Sequence, residues 1–175
     1  MDRPFFSIVI PAYNEEGSIR ETVETIAAYF DSRGVKDFEI VVVNDHSKDR
    51  TEEVLQELAG RYPQVRYVNN ELPNGFGHAV RWGLQSFRGE AVAVVMGDLS
   101  DAPEDIFTYY TLAKEGAECV FGSRFIKGAR VYDYPRLKYL VNRLAHLFIK
   151  VLFNIPHNDI TNTFKCYRRE VIEWL

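Results

Sequence analysis

Four polar clusters in this chain each follow a short apolar run: Pro11-Ala12-Tyr13-Asn14-Glu15-Glu16, Asn44-Asp45-His46-Ser47, Gly97-Asp98-Leu99-Ser100-Asp101 and Gly122-Ser123-Arg124. Asp98 and Asp101 stand three residues apart, close enough to share one ion if the turn is tight. Carboxylate oxygens of this kind suit a hard divalent cation that also bridges to substrate phosphates. Asp101 equally suits helix capping, because Pro103-Glu104-Asp105 follow it and acidic residues favour the start of a helix. Asp45 suits a ligand for a ribose or a base. Asp49, with Glu52 three residues later, reads as an N-cap in a capping box. Two common nucleotide signatures are missing: Gly75-Phe76-Gly77 has Val80 where a third glycine belongs, and no phosphate-loop pattern occurs.

These clusters need elements to hold them. Hydrophobic periodicity predicts strands at 6–10, 38–43, 65–68, 91–96, 118–122 and 164–167. Helices are predicted at 16–30, 51–62, 77–87, 103–114 and 136–153, with another starting at Arg169. Strands that are almost wholly apolar and alternate with amphipathic helices indicate an α/β domain with a mainly parallel sheet. In such sheets ligands bind beyond the carboxyl ends of the strands, which is where the polar clusters fall.

The chain has 175 residues, 46% hydrophobic and 26% charged, the size and composition of one soluble domain. Cys119 and Cys166 make no metal-binding pattern and are expected as buried thiols of a reducing cytosol. Net charge is −4, which argues against broad nucleic-acid binding. The average hides a gradient. Residues 1–124 carry 12 Lys+Arg against 21 Asp+Glu, whereas residues 125–175 carry 9 against 4. A basic C-terminal part can meet phosphates or an anionic membrane surface, or can be a solvated face. No leader peptide or membrane span is predicted.

The segments IVIPAYNEE, VVVNDHSKDRT, NGFGHAVRWG, VVMGDLSDAPED, GSRF and DITNTFKCYRREV together resemble the inverting nucleotide-sugar glycosyltransferases of the GT-A fold. Within them the chain is most similar to the branch that glycosylates dolichyl and other polyprenyl phosphates. The resemblance runs from about Phe6 to Trp174. It implies a Rossmann-like GT-A sheet flanked by helices, with residues 1–124 as the nucleotide-sugar-binding half and 125–175 as the acceptor-side segment of the same domain. Pro11, Tyr13 and Glu15 match the segment around the nucleoside, and Asp45 matches the acidic base or ribose ligand. Asp98 matches the second acid of the metal motif, while Arg81 and Arg124 match basic positions near the phosphates. Asp159, Thr161, Phe164 and Lys165 match the acceptor segment.

Three positions depart from the family pattern. Met96 replaces the first metal-binding acid, leaving Asp98 with Asp101 as second ligand; Asn44 stands where many relatives have Asp, and Thr163 replaces a glycine. Met96 by itself reads as the buried last residue of its strand.

The implied reaction displaces a nucleoside diphosphate, GDP or UDP, from a sugar with inversion. Mg²⁺ or Mn²⁺ on Asp98 and the charge of Arg124 would stabilise the leaving diphosphate, and Arg124 alternatively serves the acceptor phosphate or a surface ion pair. A phosphate monoester, with a second pKa of about 6, is already ionised and needs no base. A saccharide hydroxyl would need one, and Asp159 is then the candidate. Polyprenyl phosphate is the preferred acceptor, because the basic, apolar helix at 136–153 suits a membrane interface; a core helix or a homo-oligomer face is the alternative. The cytoplasmic face of a membrane is the expected location. A noncatalytic nucleotide-sugar-binding protein is the remaining alternative, suggested by Met96. Relatives of this kind continue beyond the segment matching 167–171, so the chain reads as a catalytic core without its C-terminal closure.

Overall fold

A computed structural model describes residues 3–124, 136–155 and 159–174. The elements are β1 (Phe6–Ala12), α1 (Ile19–Ser32), β2 (Phe38–Asn44), α2 (Thr51–Arg61), β3 (Val65–Asn69), α3 (Phe76–Ser86), β4 (Ala91–Val94), α4 (Pro103–Lys114), β5 (Cys119–Phe121), α5 (Arg136–Phe153), β6 (Lys165–Arg168) and α6 (Arg169–Trp174). The strands form one sheet in the order β3-β2-β1-β4-β6-β5. β1, β2, β3 and β4 run parallel, and β6 runs antiparallel to β4 with Lys165 opposite Val94. This is the mainly parallel α/β sheet expected from the alternation of patterns.

The chain divides into two compact units. The first holds residues up to Val120 together with the segment from Phe164, and the second holds Phe121–Thr163.

In the first unit both sheet faces are covered, so the strands are apolar on both sides. Ile8, Ile10, Ile40 and Val42 pack with Val23, Ile26 and Phe30 of α1, Leu55 and Leu58 of α2 and Ile106 of α4. Val9, Val41, Val43 and Val92 point the other way, against Ala79 and Phe87. Each fully buried Ile, Leu or Phe contributes about 1.5–3 kcal/mol, which makes this layer the main source of stability. The approach of α3 to the sheet depends on Gly83. A Cβ there would lie 2.3 Å from Val9 Cγ1 and 3.0 Å from Val43 Cγ2.

Several element ends differ from the sequence expectation for physical reasons. α1 begins at Ile19, because residues 15–18 make a turn in which Ser18 N and Ile19 N both donate to Glu15 O. No capping box forms at α2. Asp49 accepts from Thr51 N at 3.0 Å, while Glu16 reaches across to take Arg50 N at 2.9 Å. Glu52 instead accepts from Asn69 Nδ2 at 3.0 Å. Cys166 is buried as expected, but Cys119 is exposed, since it lies on the edge strand β5. Met96 is only partly buried and lies beyond β4 rather than ending it.

The second unit contains α5. One stripe of it, Val141, Leu144, Leu147, Phe148, Val151 and Leu152, is more than half exposed. His146 is buried. No helix among the described residues is long and apolar enough to cross a membrane.

Candidate active site

The loops after β1, β2, β3 and β4 meet around a cavity of about 310 Å³ in the first unit. Its lining includes Pro11 in β1, Tyr13 and Glu15 after it, Asp45 after β2, Asn74 and Gly75 before α3, Phe76 at the start of α3, and Met96, Gly97 and Asp98 after β4. Three of these loops hold non-glycine residues in the left-handed region: Asn14 at φ 55°, His46 at φ 60° and Leu99 at φ 58°. Such conformations cost energy and persist only when the surroundings over-determine them.

Hydrogen bonds between the first two loops provide that constraint. Asn14 N donates to Ser47 Oγ at 3.1 Å, and Lys48 N returns a bond to Asn14 Oδ1 at 2.8 Å. Glu15 N donates to Thr51 Oγ1 at 2.8 Å, and Glu16 N to Asp49 Oδ2 at 3.2 Å. The Glu15 carboxylate also accepts from the Ser18 hydroxyl. From α1, Thr22 Oγ1 donates to Gly97 O at 2.7 Å and ties the loop after β4 to the same frame.

Asp45 is 3% exposed, and its carboxylate organises the third loop. Oδ1 accepts from Asn70 Nδ2 at 2.6 Å, and Oδ2 accepts from Gly75 N at 2.9 Å and Asn74 Nδ2 at 3.3 Å. Burial would raise its pKa, but the donors from Asn70, Gly75 and His46 outweigh it and hold the carboxyl below the ordinary value. Gly75 at φ 145° has a backbone that favours glycine and brings its N–H to Asp45. Asn74 and Gly75 stand in the NGFGHAVRWG segment, whereas Asn70 lies outside every such segment and is marked only by following β3 as the other polar clusters follow their strands.

Asp98 and Asp101 have different surroundings. Asp98 is exposed on the cavity and accepts from Ser100 N at 3.0 Å. Asp101 does not line the cavity. Its Oδ2 accepts from Met96 N at 2.9 Å, and burial pushes its pKa up to about 6, with the charges of Asp98 and Asp105 adding and the Met96 N–H opposing. Among the described residues no group of three His, Cys, Asp or Glu is arranged to hold a metal. One exposed carboxylate does fit a cation that completes its coordination with substrate diphosphate and water. It does not fit a metal held by protein alone. Arg81 is exposed on α3 and does not line the cavity. Lys165 starts β6 opposite Val94, at the same sheet edge as the loop after β4.

In the second unit Arg124 and Asp159 form a two-pronged ion pair. Arg124 Nε donates to Asp159 Oδ2 at 2.8 Å and Arg124 Nη2 to Oδ1 at 2.8 Å, and Arg124 N adds a third bond at 3.0 Å. The Asp159 side chain has 0% exposure. Burial favours its neutral form, but Arg124 and the nearby His146 hold its pKa below the ordinary value. A buried, paired carboxylate of depressed pKa is a poor general base. These contacts make Asp159 an anchor for the Arg124 side chain. Thr161 is exposed, and its Oγ1 lies 3.0 Å from Nε2 of the buried His146, a residue with no sequence signal beyond its helical spacing.

Comparison with known proteins gives one consistent answer. A profile described as glycosyl transferase family 2 matches residues 7–175. A dolichol-phosphate mannosyltransferase of Pyrococcus furiosus is 33% identical over 95% of this chain and 47% of its own length. A dolichyl-phosphate beta-glucosyltransferase of Trichomonas vaginalis is 31% identical over 98% of this chain and 54% of its own. The chain thus spans about half the length of the curated relatives it matches. Among solved structures, glucosyl-3-phosphoglycerate synthase of Mycobacterium tuberculosis, in complex with Mn²⁺, uridine diphosphate and phosphoglyceric acid, has a TM-score of 0.70 at 23% identity, covering 97% of this chain and 57% of that one. A mannosyltransferase of Pyrobaculum calidifontis, in complex with GDP-Man and Mn²⁺, has a TM-score of 0.64 at 24% identity, covering 98% and 46%. At these identities the structural likeness speaks for the fold.

Proposed function

The chain belongs to glycosyl transferase family 2, and on that premise we propose that it carries the donor-binding core of an enzyme that moves a hexose from a nucleotide-diphosphate sugar to a polyprenyl phosphate with inversion. The observation that carries this reading is the cavity at the carboxyl ends of β1, β2 and β4, which brings Tyr13, Glu15, Asp45 and Asp98 together. The dolichyl-phosphate substrates named for its relatives support the acceptor.

Chemically, an oxygen of the acceptor phosphate forms a bond to the anomeric carbon while the bond from that carbon to the diphosphate oxygen breaks. The nucleoside diphosphate leaves with the electron pair. The acceptor oxygen is already ionised at neutral pH, so no proton has to be removed. The burial and pairing of Asp159 agree with such a base-free reaction and disfavour a saccharide hydroxyl. Pro11, Tyr13 and Glu15 seat the nucleoside, and Asp45 shapes the loop 70–75 against it. Asp98 would hold a divalent cation, Mg²⁺ or Mn²⁺, which would supply Lewis-acid stabilisation of the departing diphosphate. Arg124 and Thr161 serve the acceptor phosphate.

The exposed apolar stripe of α5, with Arg143 and Lys150 on the same helix, is the proposed contact with the cytoplasmic face of a membrane. The reaction is tested by incubating the protein with GDP-mannose or UDP-glucose, Mn²⁺ and a short-chain polyprenyl phosphate in micelles. Formation of the polyprenyl-phosphate sugar supports the reading. Binding of donor without any transfer to lipid phosphate would contradict it.

A further inference from the structure

Three groups in the second unit lie around one imidazole nitrogen. His146 Nε2 is 3.0 Å from Thr161 Oγ1, 3.4 Å from Thr161 N and 3.6 Å from Asp159 Oδ1. The imidazole is 5% exposed and the Asp159 side chain 0%, whereas Thr161 is exposed. A buried ring therefore touches the one exposed member of the cluster.

The charge next to the ring decides which way the hydrogen bond runs. Asp159 is ionised, held so by its three contacts with Arg124. A bare nitrogen lone pair facing that carboxylate at low dielectric would be repelled, whereas an N–H there is attracted. The proton then sits on Nε2, and Nε2–H donates to Thr161 Oγ1. Once its oxygen accepts from the ring, the threonine hydroxyl directs its own proton elsewhere, and the exposed side of Thr161 is left as a hydrogen-bond donor. The backbone N–H of Thr161 also donates towards Nε2, at 3.4 Å, and this longer of the two hydrogen bonds to Thr161 is lost when the ring nitrogen carries the proton.

We propose that His146 is a positioning residue that fixes the Thr161 hydroxyl as a donor to an oxygen of the acceptor phosphate. This rests on the phosphate-acceptor reading given above. Phosphate oxygens in the dianionic form only accept hydrogen bonds, so a threonine hydroxyl helps such a ligand only when it donates. An unfixed hydroxyl donates part of the time and loses rotational freedom on binding. The assembly thus has an ion pair, Arg124–Asp159, that sets the tautomer of the ring, and a ring that sets the direction of the hydroxyl.

The test combines kinetics with spectroscopy on the same protein. His146→Leu removes the donor and is expected to raise KM for polyprenyl phosphate about tenfold, with KM for the nucleotide sugar unchanged. His146→Gln, whose side-chain amide can donate from the same place, is expected to stay within about threefold of wild type. Thr161→Val should match His146→Leu, and the double variant should be no worse than Thr161→Val alone. Equal changes in both KM values, or additive losses, would overturn the proposal.

Long-range ¹H–¹⁵N spectra of the wild-type imidazole give a readout independent of turnover and of how well any variant folds. A proton on Nε2 is expected; a bare Nε2 with the proton on Nδ1 alone would overturn the proposal. If the wild type transfers sugar to a saccharide hydroxyl and never to lipid phosphate, the functional reading fails and takes the assigned role with it. If it uses lipid phosphate but the His146 variants behave as wild type, only the inference fails.

Discussion

The backbone N–H of Met96 donates to Asp101 Oδ2 at 2.9 Å, so the second carboxylate of the Asp98–Asp101 pair is bound to the turn that carries the first. The loop closes on itself, and of the two carboxylates Asp98 lines the cavity and Asp101 does not. Met96, in the position where the family pattern has an acid, contributes its amide to the turn and its partly buried side chain to the cavity wall.

This asymmetry predicts unequal effects of two similar substitutions. Asp98→Asn should weaken Mn²⁺-dependent binding of the nucleotide sugar at least about tenfold, which corresponds to about 1.4 kcal/mol. Asp101→Asn keeps an oxygen for Met96 N and should change that affinity less than about threefold. Calorimetric titration of both variants measures the difference. Equal losses would mean that both carboxylates reach the ion.

Packing of α3 on the sheet gives a stability prediction. Gly83→Ala places a methyl group 2.3 Å from Val9 Cγ1, and a branched valine held on β1 cannot move aside as a flexible chain end would. Overpacking of this kind costs about 1–3 kcal/mol. Thermal unfolding should shift down by roughly 2–4 °C for each kcal/mol in a protein of this size. An unchanged Tm would show that α3 sits further from the sheet.

Acid sensitivity follows from the paired carboxylates. In Asp45 and Asp159 the raising effect of burial is outweighed by hydrogen-bond donors, so the folded state holds both carboxyls below their ordinary range. Groups of lowered folded pKa contribute stability that is complete above the unfolded value and lost as pH falls through the folded one. Stability should therefore decline below about pH 4 as these pairs are protonated. In Asp159→Asn the pH dependence below that point should be shallower than in wild type, as read by urea unfolding at several pH values. An identical slope would mean that the Arg124–Asp159 pair is not linked to folding.

The exposed stripe on α5 predicts membrane association. Replacing Phe148 and Val151, 66% and 75% exposed, by serine removes apolar surface without touching a buried side chain. Each large apolar side chain is worth about 1.5–3 kcal/mol on full burial. The double variant should therefore bind anionic vesicles more than about tenfold more weakly, as measured by co-sedimentation. Undiminished binding would place the contact elsewhere.

Much of the sheet was legible because its signal is local. Runs such as FSIVI and FEIVVV are apolar on both faces and bounded by turn residues, and the helices between them carry apolar residues at helical spacing. Pro103 marked the start of α4 by the same local logic. What the sequence hid depends on partners distant in the chain. Glu16 caps the start of α2 from another loop, which no short spacing reveals. Asp45 reads as a ligand from its position after β2, yet most of its hydrogen-bonding capacity is taken by Asn70, Asn74 and Gly75. The ion pair of Asp159 is hidden in the same way, because its partner, Arg124, is 35 residues away.

The proposed reaction requires the cavity after β1, β2 and β4 to bind a nucleotide-diphosphate sugar through a cation held by Asp98. Calorimetric titration of the wild-type protein with GDP-mannose and with UDP-glucose, each with and without Mn²⁺, tests it most directly. Saturable binding of one donor is expected, strengthening at least about tenfold when Mn²⁺ is present. Binding of neither donor, or binding indifferent to Mn²⁺, would contradict it.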